Sequence, residues 1–156
     1  MNPTSFTMAF FGLFRKKQRP VIEDALFGTM TFFDARQPGD RYLECRTRFA
    51  GRPVEVTMEA GPDGPSEAQR AFFRSLEAGY DSLKAKLIPL LDEQLADWEA
   101  GPIRDFDREL ELETITLPAV SDGPVQWSLC YVVRSIHHWA TFELTDGTPD
   151  SLLIDG

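Results

Sequence analysis

Metal-binding and thiol chemistry rest on residues this chain hardly contains: 156 residues include two cysteines and two histidines. Cys45 and Cys130 stand far apart with no CxxC, and His137 and His138 are adjacent, so neither HExxH nor His-x-His occurs. A zinc centre gathers three or four such ligands at characteristic spacings, and the sequence points away from one. Isolated cysteines are the usage of a reducing compartment, which gives a cytoplasmic expectation with both thiols free. Gly-x-Ser-x-Gly elbows and glycine-rich phosphate loops are also missing. The segment GPDGP (61–65) is blocked by prolines and lacks the lysine of a phosphate loop. No cofactor and no catalytic residue is expected.

Long apolar runs are missing too. The longest aromatic-rich stretch, TMAFFGLF, is far too short to cross a bilayer, and the basic run RKKQR follows it where a secretory signal would place its charges first. Residues 1–20 therefore read as a flexible leader, and membrane attachment through Phe10, Phe11 and Phe14 is disfavoured. Basic residues are scarce, 16 against 25 acidic, for a net charge of −9, and four of the 16 fall within Arg15–Arg19. Such a field repels a phosphate backbone, which excludes nucleic acid and favours a basic protein partner.

What the chain does have is periodicity. FGTMTFF, RYLECRTRF and VEVTMEA alternate apolar and polar residues, with turn residues at QPGD and AGRP between them. They predict three antiparallel strands with one wet face. Ser66 and Gln69 have capping-box spacing. Beyond them Phe72, Leu76, Tyr80, Leu83, Leu87, Leu91, Leu95 and Trp98 draw a helical stripe to about residue 98, with a kink or break expected at Pro89. Strands return in LELETITLP, VQWSLCYVV, HHWATFEL and SLLI. The layout predicts one α+β domain over residues 21–156, an antiparallel sheet from the N- and C-terminal strand blocks packed on a central kinked helix or helix pair.

Two candidate sites follow. The run DEQLADWEAGPIRDFDRELELE is crowded with carboxylates, and Asp92, Asp97, Trp98, Asp105 and Phe106 together suggest a groove beside the kinked helix that steers a basic partner and anchors it by aromatics. His138 is added as a neighbour in the strand block. The alternative is an enzyme or metal-binding site around His137, His138 and Cys130. Adjacent residues of a strand face opposite ways, so the two histidines should not converge on one ion. One is expected against the core and the other at the surface.

The order of FGTMTFFD, RFAGRPVEVTMEA, SEAQRAFFRSLEAGYDSL and WSLCYVVRSIHHWATFELTDGTPDSLLIDG resembles small bacterial cytoplasmic proteins of domain-of-unknown-function families. Proteins of similar layout occur among immunity proteins of bacterial toxin systems. The resemblance implies a non-catalytic intracellular binding module that blocks a toxin, and it assigns no residue a role. A monomer or a homodimer is expected.

Overall fold

Ser66 begins the helical region as its residue type dictates. Its Oγ accepts from the Gln69 backbone N–H at 3.1 Å, and the Gln69 Oε1 accepts from the Ser66 N–H at 3.0 Å, a complete capping box. The computed structural model describes residues 18–156. Residues 1–17, which include Phe10, Phe11, Phe14 and most of the basic run expected to form a leader, lie outside the described residues.

Among those residues the chain forms β1 (Val21–Asp24), β2 (Gly28–Phe33), β3 (Tyr42–Phe49), β4 (Arg52–Glu59), α1 (Glu67–Ala78), α2 (Tyr80–Ala96), the short α3 (Phe106–Glu109), β5 (Leu110–Leu117), β6 (Gln126–Val133), β7 (His138–Thr145) and β8 (Thr148–Asp155). All eight strands join one sheet in the order of the sequence. Each neighbouring pair is antiparallel except β4 and β5, which run parallel at its centre. A sheet antiparallel throughout was expected from the strand blocks. The difference arises because a parallel pair needs a long crossover, which α1 to α3 supply. Two four-stranded meanders are thus joined side by side.

The helices cover one face. Leu83, Leu87, Leu91 and Leu95, one turn apart along α2, are buried with Phe73 and Leu76 of α1 against Met30, Leu43, Val56, Ile115, Leu129 and Phe142 from the inner rows of the sheet. Each fully buried side chain of this size contributes about 1.5–3 kcal/mol relative to exposure. The stripe breaks at Gly79 rather than at Pro89. Gly79 closes α1, donating to Ser75 O, and a Cβ there would press on that carbonyl at 3.3 Å. Pro89 lies inside α2 on its exposed side, so the backbone bond it cannot give to Ala85 is lost where both residues are exposed. Two tight hairpins, at Ala50-Gly51 and Asp146-Gly147, have positive φ at both central residues, the turn geometry that matches strand twist.

Strand β1 was not anticipated. It is held by Asp24, whose Oδ1 accepts from the Leu26 and Phe27 N–H groups while its Oδ2 takes the Arg70 guanidinium of α1 at 2.8 Å. Burial alone would raise the Asp24 carboxyl; the bonds from Arg70, Phe27 and Leu26 outweigh it and hold the group below its ordinary value. A carboxyl lowered in the folded state stabilises the fold above its unfolded pKa, and that contribution is lost as the pH falls through the folded value.

Gln69 is the one buried polar residue of the described chain, 2 % exposed. Beyond the capping box, its Nε2 donates to Glu59 O at 2.6 Å and Pro118 O at 2.9 Å. Gln69→Leu should therefore cost about 3 kcal/mol in urea unfolding, against about 1 kcal/mol for Ser66→Ala. Asp24→Asn should lower the melting temperature at neutral pH and flatten its decline as the pH falls below the ordinary carboxylate range, followed by circular dichroism.

Candidate functional site

The opposite face of the sheet has no helix over it among the described residues. Pairing fixes which residues line up across it. Glu44 of β3, Thr57 of β4, Thr116 of β5, Ser128 of β6 and Glu143 of β7 are successive register partners, a single row across five strands. Its middle is a floor of hydroxyls, with Thr57 Oγ1 bonded to Thr116 Oγ1 at 3.2 Å. Its two ends are carboxylates. Small side chains between larger ones leave a groove of about 650 Å³, walled by Asp40, Tyr42, Glu59, Pro118 and Gln126.

The groove is acidic and has an aromatic end. Arg41 is the one cation in its lining, and it is paired with Asp34 at 2.9 Å. Glu44, Glu59 and Glu143 have no ion-pair partner among the described residues. Tyr42 stacks on Phe33 with ring centroids 4.5 Å apart, and the Arg19 guanidinium lies 4.3 Å from the Phe33 centroid. An arginine thus already rests on this aromatic platform. Farther along the same face Trp139 is 47 % exposed, its Nε1 donating to Glu113 at 2.8 Å, and Leu153 of β8 is 62 % exposed.

The residues singled out in the sequence do not gather in one groove. Asp92 fixes the loop after α2 by accepting from the Ile103 N–H at 2.7 Å, and Asp105 caps α3 through the Arg108 N–H. Phe106 is buried, its ring 5.4 Å from that of Tyr131, and packs into the core. Asp97 and Trp98 are exposed at the end of α2, where the Trp98 ring meets His138 at 4.5 Å. Of the six, only Asp97, Trp98 and His138 share a surface. The histidine pair divides in a way the alternation did not foresee in full: His137 is exposed with φ 56° in the β6–β7 turn, and His138 opens β7 on the helical side.

Cys130 lies on the open face beside Thr141, so it does not converge with His138. Cys45 points into the core from β3, which separates the two thiols by two strands and by the thickness of the sheet. Burial raises both, Cys45 to about 12. Among the described residues no three His, Cys, Asp or Glu side chains come together as metal ligands, and no helix is long and apolar enough to cross a membrane.

A second cavity of about 320 Å³ opens between the β3–β4 turn and the start of α2, floored by Phe49, Tyr80 and Phe106. Beneath it the Tyr80 and Tyr131 hydroxyls meet at 2.9 Å. Burial raises both phenols, Tyr131 well above its ordinary value. Lys84 on the rim is held by Asp81 at 2.8 Å and Asp107 at 3.1 Å, bonds that outweigh its partial burial and raise it. The raised phenols and the raised amine all stay protonated at neutral pH, so these three groups offer donors rather than a base or nucleophile.

No family model, curated protein or solved structure matches this chain.

Reactivity follows from burial. In the folded protein at pH 8 a disulfide reagent should modify Cys130 slowly and Cys45 only at the rate of unfolding, with both reacting at once in 6 M guanidinium. In an alkaline absorbance titration Tyr80 and Tyr131 should ionise late, and Tyr131→Phe should remove one of those delayed steps.

Proposed function

We propose that this chain is a non-catalytic protein-binding module acting inside the cell, and that it holds a basic partner against the open face of its sheet. The observation that carries the reading is the row from Glu44 to Glu143, with carboxylates unpaired among the described residues beside an aromatic platform. Charged groups left in this state at a concave surface favour a cationic partner and speed its encounter, while exposed aromatics such as Tyr42 and Trp139 supply contact area at low entropic cost. An immunity-like role, occlusion of a basic toxin, is the specific form this binding takes in the proposal. Trp98, Asp97 and His138 lie on the helical side and serve at most as a second contact.

A basic protein retained by the immobilised chain at low salt should be released as ionic strength rises. It should be lost with the pair Glu44→Lys and Glu143→Lys, and kept with His137→Ala or Cys130→Ser. Retention by the charge-reversed pair, or turnover of the partner abolished by His138→Ala, would overturn the reading.

A further inference from the structure

We infer that the groove selects an extended segment bearing two arginines spaced about six residues apart, each seated at one end of the Glu44–Glu143 row. This rests on the open face being the binding surface, and it adds the chemistry and spacing of what lies there.

The spacing comes from the register. Glu44 and Glu143 are separated by four strand-to-strand steps, and at about 4.8 Å each these put their backbones roughly 19 Å apart. An extended chain advances about 3.3 Å per residue, so roughly six residues cover that distance. An even number returns the side chain to the same face. Between the two ends, Thr57, Thr116 and Ser128 are too short to block a backbone crossing above them, and their hydroxyls can bond its peptide groups. The row therefore has two cation seats and a polar bridge.

Arginine rather than lysine is set by the β3 end. Glu59, the cross-strand partner of Tyr42, and Glu44, two residues along β3, bring two carboxylates next to the exposed Tyr42, and the planar guanidinium can bond a carboxylate while lying on an aromatic ring. Arg19 shows the stacked half of that arrangement on the neighbouring Phe33. At the β7 end Glu143 stands beside Gln126 and Ser128, which can take the remaining guanidinium donors.

The test uses fluorescein-labelled peptides of equal composition, Gly-Arg-Thr-Ser-Thr-Ser-Thr-Arg-Gly and Gly-Arg-Thr-Arg-Ser-Thr-Ser-Thr-Gly, with the lysine form of the first, titrated with the full chain by anisotropy in low salt. The widely spaced arginine peptide should bind about 10-fold tighter than the other two. Glu143→Gln should remove the advantage of spacing, and Tyr42→Ala the advantage over lysine, with circular dichroism checking that both variants fold. Equal affinity for the two arginine spacings would overturn the inference, and so would an unchanged preference in Glu143→Gln. If neither peptide binds but the charge-reversed pair still loses a protein partner, the binding face stands and the two-arginine rule falls. A concentration-dependent dimer in sedimentation, abolished by Glu143→Gln, would assign the groove to a second copy and overturn the inference as well.

Discussion

One side-chain amide ties the architecture together. The Gln69 Nε2 reaches the carbonyls of Glu59 at the end of β4 and Pro118 just after β5, while its Oε1 closes the start of α1. Those two strands are the parallel pair, so their ends lie at the same edge of the sheet, where a helix must begin if it is to cross back beneath them. A buried amide with three of its bonding positions used specifies that corner more sharply than apolar packing could, because each bond fails with a small displacement. The helical layer is thereby anchored to the seam between the meanders.

The anchoring leaves the two faces of the sheet with different tasks. On the helical side the rows through Met30, Leu43 and Phe142 are dry and packed. On the other side the row through Thr57, Thr116 and Ser128 is polar and small, and charges collect at its ends. An antiparallel sheet with one wet face needs polar residues there, but it does not need them sorted into hydroxyls at the centre and carboxylates at the margins. That sorting, together with the Phe33–Tyr42 stack, is the feature on which the proposed binding role rests.

How much of this was legible in the sequence depended on whether the cause was local. The capping box, the tight turns and the inward alternation of each strand follow from neighbours within a few residues, and Ser66, Gln69, Gly51 and Gly147 announced them. The break at Gly79 was hidden by the regular stripe from Phe72 to Trp98, and Pro89 drew the kink because its exposed side could not be seen. The parallel β4–β5 seam depends on partners far apart in the chain. For the same reason RYLECRTRF and HHWATFEL do not reveal that Glu44 and Glu143 share a row, although the alternation of RYLECRTRF places Glu44 on a wet face. The acidic run from Asp92 to Glu113 is dense along the chain but is not gathered at one surface. Asp92, Asp105 and Phe106 proved to be holding loops and core in place.

The central seam also bears on how the molecule reaches its fold. Within each meander every strand pairs with the next across a short connection, so most of the sheet forms from contacts close in sequence. Thr57 and Thr116, by contrast, are 59 residues apart, and bringing them together closes a large loop before any helix–sheet burial rewards it. Pairing β4 with β5 therefore carries the largest loop-closure cost of any strand pair in the sheet. Unpaired, the facing edges of β4 and β5 would be open to strands of other chains, so the seam that joins the two meanders also closes the two edges they would otherwise expose.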